Sequence, residues 1–334
     1  AAQVPARSRA VLMQPAPVMD RFLLLLQQVD QPLRDELERR FLEIFGESID
    51  LVEPGGIADA VLDCEPLEDG SSWRCMLEGA GNGVTQVEVI AGTGKMAEKL
   101  AVHLWRPVLV ALLQSTENAS SEMQLDFNVH GNIAGTPVAI GNRGVRVTAN
   151  TAPNKLYFYK PGLPRTSQNS LQLEVATNRD CYLTLVEVDS QGKLSQLFPN
   201  AHQAAEFYPQ GRIKAGENIV LPDSLEDGNR AGFNYDYGPP AGKDTIQAFC
   251  MQDPRDADLL RSQIARLTSE AAGATVSDTR SALSDLRRDL AKIAIRETRQ
   301  LKDQQPVGSK TAVTDQSTPQ SDWVASSLTL EISE

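Results

Sequence analysis

No stretch of this sequence is both long and apolar enough to cross a bilayer as a helix. The longest apolar runs are FLLLL at Phe22 to Leu26 and VLVALL at Val108 to Leu113, far short of the roughly 20 residues a spanning helix needs. A basic excess is missing too: 32 Lys and Arg stand against 44 Asp and Glu, a formal net charge of −12. Binding to phosphate backbones relies on clustered cations that release counterions, so nucleic acid is not an expected partner. Aromatics are scarce at 5%, which leaves the core to Leu, Val and Ala.

Most motifs that announce chemistry are missing as well. There is no G-x-S-x-G elbow for a Ser-His-Asp nucleophile. There is no C-x-x-C or H-x-x-x-H spacing for zinc, and the three histidines, His103, His130 and His202, lie far apart. VIAGTGKMAEK sets Gly94-Lys95 before a helical pattern, as a P-loop does. Val89 stands where that motif's first glycine belongs, however, and Met96 stands where Ser or Thr would hold magnesium. The segment reads instead as a Gly-rich strand-to-helix turn.

Carboxylates crowd at Asp59, Asp63, Glu65, Glu68 and Asp69, and again at Asp223, Glu226 and Asp227. Neither cluster has the alternation of a calcium loop, so both read as solvated turns. An acid pair for glycoside hydrolysis is the alternative. No metal and no cofactor is expected.

What is present fits a globular α+β protein of two domains. The 334 residues, 41% apolar and 23% charged, can bury a core without relying on staples. An extended segment, 1–18, precedes a small α/β unit at 19–113. There Phe22, Leu23, Leu26, Val29, Leu33, Leu37, Phe41, Leu42 and Phe45 recur at helical spacing, with Pro32 as a break or kink. Four β-like runs follow, SIDLVE, ADAVLDCEP, SSWRCMLEG and VTQVEVIAG, and then the helical KMAEKLAVHLWRPVLVALLQ.

A polar linker at 114–122 leads into 123–254, whose many short strands between Gly, Pro, Asn and Asp predict an antiparallel β-sandwich. Residues 255–303 read as a helical hairpin, 304–322 as a polar linker, and 323–333 as a closing strand that returns to the sheet.

Cys64 and Cys75 flank a turn at Glu68-Asp69-Gly70, so a hairpin sets them across from one another, where a disulfide is easily made. Cys181 opens one strand and Cys250 ends another, and antiparallel pairing of the two would bring them together. Two local pairs leave none over, which points to an oxidising compartment. Four reduced cysteines acting as small hydrophobes are the alternative. The start, AAQVPA, lacks Met and is built of small residues, as the chain left by an A-x-A signal-peptide cleavage would be. The expected location is periplasmic or extracellular.

In CYLTLVEVDSQGKLSQLFPN, residues 181–200, Tyr182, Thr184, Val186 and Val188 point one way and Leu183, Leu185 and Glu187 the other. Asp189 to Gly192 turns the chain, and Pro199 ends the second strand. With the flanking segments, this hairpin resembles the domain of unknown function 4384 over roughly residues 155–254. Tyr182, Leu183, Gly192, Leu197, Phe198, Pro199, Asn200, Leu221 and Pro222 carry the likeness. The resemblance implies an accessory domain, often in the bacterial envelope, that accompanies other modules, and it implies no reaction. Asn200 is expected to bond its own backbone. Residues 48–113 resemble, in topology, the amino-terminal unit of the translocation protein TolB, a partner-binding module.

One aromatic and Pro-rich concentration remains, FYPQGR with NYDYGPPAG. Its Tyr208, Arg212, Tyr235 and Tyr237 could receive a sugar or a peptide, or the rings could serve packing. The sequence therefore predicts a non-catalytic envelope scaffold that binds other envelope proteins, in a multi-protein complex, through sheet edges and aromatic loops. A polysaccharide- or peptidoglycan-binding module or hydrolase is the alternative.

Overall fold

The computed structural model describes residues 21–52, 57–79, 86–116, 118, 121–133, 136–141, 154–157, 170–225, 228–237, 240–271, 285–286, 288 and 322–333. The segment 1–18, most of the second helical arm and the linker at 304–321 lie outside them.

FLLLLQ forms strand β1 (Phe22–Gln27) and does not open a helix. The helical spacing read across residues 19–45 is interrupted by Gln28, at φ 54°. It is interrupted again by Asp30, whose carboxylate accepts a 3.0 Å bond from Leu33 N–H and so caps helix α1 (Gln31–Phe45). Pro32 falls in the first turn of α1, where a missing N–H costs nothing. The unbroken apolar run fits a strand with neighbours on both sides. β1 pairs in parallel with β2 (Ile49–Val52) and with β3 (Ala60–Pro66), and such central strands read as continuous hydrophobic runs.

β4 (Ser72–Gly79) and β5 (Val87–Gly92) extend the sheet by antiparallel pairing to the order β2-β1-β3-β4-β5. Helix α2 (Thr93–Gln114) follows. With α1 it shares a core with one face of this sheet, where Phe22, Leu24, Leu26, Leu62, Leu77 and Val89 are buried.

The chain then builds β6 (Leu125–Ile133), β7 (Thr136–Gly141), β8 (Asn154–Tyr157), β9 (Ser170–Thr177), β10 (Cys181–Val188), β11 (Leu194–Phe198), β12 (Arg212–Ile213), β13 (Asn218–Leu221), β14 (Tyr235–Asp236) and β15 (Gly242–Met251). Helix α3 (Pro254–Ala271) and strand β16 (Trp323–Ser333) complete it. One sheet runs β11-β10-β15-β16-β8 with β12 beside β10, and the other runs β13-β9-β6-β7 with β14 beside β9.

The closing strand does return. β16 lies antiparallel along the whole of β15, from Gly242 opposite Ile332 to Met251 opposite Trp323. It also pairs in parallel with β8, so this sheet is mixed and not purely antiparallel as the sequence suggests. Parallel pairing needs a long crossover, and no local pattern announces one.

Leu125, Phe127, Val129, Leu173 and Val175 of one sheet share a core with Leu183, Leu185, Ala248, Leu328 and Leu330 of the other. Strand alternation sends the intervening residues outward. Val186, Val188, Phe249, Met251 and Trp323 thus join the core formed by α1, α2 and the first sheet. At about 1.5–3 kcal/mol for each large side chain buried, this outer face is a substantial bond between the amino-terminal unit and the β body. α3 covers the same face. Asp253 accepts from Arg255 N–H at its start, and Leu260, Ile264 and Leu267 are buried at helical spacing.

Candidate functional site

The loops between β11 and β15 form a folded layer held by their own polar atoms. Asn200 donates from Nδ2 to Leu197 O at 2.8 Å and accepts from His202 N–H at 2.9 Å, so both ends of its amide hold the loop. Ala204 N–H donates to Ala231 O at 2.9 Å, tying this loop to the next. Tyr208 and Gln210 both adopt left-handed backbone conformations, with φ 44° and 56°. That is uncommon for any residue with a side chain and costs on the order of 1–3 kcal/mol where the surroundings impose it.

The surroundings here are dense. The Tyr208 hydroxyl donates to Glu217 Oε1 at 2.9 Å, its ring stands edge-on to Phe207 at 4.8 Å, and Gly211 N–H donates to Tyr208 O at 2.7 Å. Burial and the bond to Glu217 push the Tyr208 phenol up to about 12.

The other aromatic residues of the layer are similarly engaged. Tyr235 packs on Phe233 with ring centroids 5.0 Å apart and donates to Leu197 O at 2.9 Å; burial raises its pKa well above the ordinary value. Tyr237 is buried. Arg212 reaches Asp180 at 3.7 Å while its side chain stays 61% exposed, and Arg230 meets Asp223 at 2.9 Å with 81% exposed. The layer thus presents guanidinium groups outward and keeps its rings inside.

α3 fastens this layer from the other side. Arg261 donates to Thr184 Oγ1 at 2.9 Å and from Nη2 to Leu183 O and Gln210 O, both at 3.0 Å. Removing the guanidinium from water lowers its pKa. Gly211, at φ 71°, lies so close to this bond set that a Cβ there would meet Leu183 O at 2.5 Å.

A second constellation lies at the base of the β10–β11 turn. Leu183 and Leu185 are buried in the core between the two sheets, and strand parity places Glu187 on their side of β10. Burial, then Asp244 and Asp189, push its carboxyl up to about 7. Asp244, on β15, is nearly buried and is pushed up to about 6, mainly by desolvation, although Ser190 N–H donates to it.

Across this base comes Arg106 of α2, itself buried. Its Nε donates to Asp189 O at 2.9 Å and its Nη2 to Lys243 O at 2.5 Å, and desolvation lowers its pKa. Beside it the Trp105 indole donates to Gly192 O at 3.1 Å. Glu187 was visible in the sequence as a carboxylate on the apolar side of an alternating strand. Arg106 stood within an apolar helical run. Asp244 and Arg261 carried no comparable signal, since their environments arise only from tertiary packing.

The cysteines are paired as Cys64–Cys75 and Cys181–Cys250, with Cα separations of 4.1 and 5.5 Å. Cys64 and Cys75 are direct partners in the β3–β4 ladder. Cys181 lies diagonally from Cys250, whose ladder partner is Leu183. Of the acidic turns, Asp69 accepts from Ser71 and Ser72 N–H, and Asp59 accepts from Leu23 N–H. Among the described residues no three His, Cys, Asp or Glu side chains converge as a metal site would require. Two outer strands are blunted: Lys99 of α2 donates to Ile90 O on β5, and β7 contains Pro137.

Residues 167–254, which take in β9 to β15, match the model of a family described as Domain of unknown function (DUF4384). Neither the curated proteins nor the solved structures yield a match.

Proposed function

We propose that this chain is a non-catalytic binding or scaffold protein of the bacterial cell envelope, periplasmic or secreted, which grips another envelope protein in a multi-protein assembly. In this reading the two facing sheets are a β-sandwich, closed by a helical hairpin and the returning strand. Residues 48–113 act as a TolB-like partner-binding unit.

One observation carries the reading. The groups that sequence offers for chemistry or stacking, Tyr208, Tyr235, Asn200 and the four cysteines, are bonded within the chain, while Arg212 and Arg230 face outward on a fixed backbone. Such a layer is rigid and preorganised, which lowers the ordering cost of recognition. In this reading the segment that matches the domain of unknown function, residues 167–254, serves as an accessory domain. The blunting of β5 and β7 directs the proposal toward this loop layer and away from those two strands.

The test is a capture from native envelope extract with the wild-type chain beside Arg212→Ala/Arg230→Ala. A protein retained by the first and lost from the second supports the reading, and identical captures overturn it.

The hydrolase alternative has one observation in its favour, the near-neutral titration of Glu187 and Asp244, since acid–base catalysis is best served near the working pH. Peptidoglycan digestion by the wild-type chain that disappears in Glu187→Gln would establish it.

A further inference from the structure

We propose that the junction between α2 and the β10–β11 turn is a proton-operated latch, closed while Glu187 and Asp244 carry protons and loosened when both ionise. The geometry joins the two acids directly to the anchors of α2. Arg106 holds two backbone carbonyls: that of Asp189, two residues after Glu187, and that of Lys243, the residue before Asp244. Trp105 holds a third, that of Gly192, at the far side of the same turn. The turn is closed internally by Asp189, whose Oδ1 accepts from Gln191 N–H at 2.9 Å and Lys193 N–H at 2.8 Å. Any displacement of the β10 and β15 ends therefore moves the very atoms that α2 grips.

Among the described residues, the charges around this base are few. Lys193, on the β11 side, is the cation acting on Glu187, and Arg106 of α2 is the one acting on Asp244. Asp189 adds to the repulsion on both acids. The Tyr235 phenol of β14 also senses Glu187. Lys243 projects to the opposite face of β15 from Asp244, where its ladder partner is Glu331 of β16.

Protonating Glu187 and Asp244 removes two negative charges from the neighbourhood of Asp189 and Arg106. With both ionised, two desolvated carboxylates join Asp189 at the base of one tight turn. Separating the strand ends rehydrates them and withdraws the Asp189 and Lys243 carbonyls from Arg106. Proton release and loosening of the α2 junction with this turn are then linked.

The full chain is compared by hydrogen exchange at about pH 5.5 and about pH 8, corrected for intrinsic amide exchange, with an expected loss of protection of about tenfold or more across that span. The loss should appear together in residues 186–194 and in residues 103–114, while the Cys64–Cys75 hairpin stays unchanged. Glu187→Gln/Asp244→Asn should keep the low-pH protection at both values. Glu187→Gln alone, isosteric with the protonated acid, should remove the larger part of the slope. A flat profile in the wild type overturns the proposal. So does an undiminished slope in the variants, or loosening of the turn without α2.

Discussion

Arg106 on α2 donates to the carbonyl oxygen of Asp189 at 2.9 Å, joining the amino-terminal unit to the turn that lies at the heart of the family-matched segment. The same guanidinium reaches Lys243 O, so a single side chain bonds one carbonyl of the β10–β11 turn and one of β15. Replacing Arg106 with Met should keep the apolar stem and remove the guanidinium bond to each carbonyl, while Gly192 N–H still donates to Asp189 O at 3.0 Å. The expected loss is about 2–4 kcal/mol, read as a lower urea midpoint with little change in slope. Arg106→Lys should recover only part of it, because one ammonium cannot reproduce the planar fork.

Gly211 tests the loop layer in the same way. Its φ of 71° already favours glycine, and an added Cβ would collide with Leu183 O at 2.5 Å and crowd Arg261 Nη2 at 3.1 Å. Gly211→Ala should cost about 3 kcal/mol or more, since backbone has to move. Gly70 has nearly the same conformation, φ 64°, with nothing within 4 Å of the added atom. Gly70→Ala should cost only about 1 kcal/mol. Equal losses at the two positions would mean that the packing around Gly211 is not what fixes it.

How much of this could be read from residues alone depends on how local each cause is. β9, β10, β15 and β16 alternate or end at Gly, Pro and Asp, and their positions follow from that pattern. The Cys64–Cys75 pair follows from a hairpin whose turn residues are adjacent in sequence. FLLLL misled because five apolar residues satisfy helical and extended templates equally. Its strand character comes from β2 and β3 on either side, which are remote in sequence. The parallel pairing of β16 with β8 and the reach of Arg106 and Arg261 into backbone carbonyls depend wholly on assembly. Glu187 stands between these cases: its parity with Leu183 and Leu185 was legible, but its neighbour Asp244 was not.

The two disulfides should differ in what they contribute. Their partners are separated by 11 and 69 positions, and closing the longer loop removes more freedom from the unfolded chain. The chain-entropy estimate is about 3 kcal/mol for Cys64–Cys75 and about 4 kcal/mol for Cys181–Cys250. Paired Ser replacements, each followed by urea denaturation, should rank in that order. Alkylation without reductant should find no free thiol in the untreated chain, and four after reduction under denaturing conditions.

Stability should rise as the solution is acidified from about pH 8 to about pH 5. Glu187 moves from 4.5 to about 7 and Asp244 from 3.8 to about 6 on folding. Each folded carboxyl therefore holds its proton at pH values where the unfolded one has lost it. Their stabilising contribution is complete below the unfolded values and disappears as pH climbs through the folded ones. The paired carboxylates Asp223 and Asp285 shift the opposite way, so they are ionised in both states throughout this window and leave the slope to Glu187 and Asp244. Allowing for the solvent around half-buried Glu187, the two together should be worth about 2 kcal/mol between pH 8 and pH 5. Urea midpoints measured across that range should fall as pH increases, and Glu187→Gln should flatten the curve mostly above pH 6. A wild-type curve that rises with pH would place both carboxylates in water and remove the buried acid pair from the fold.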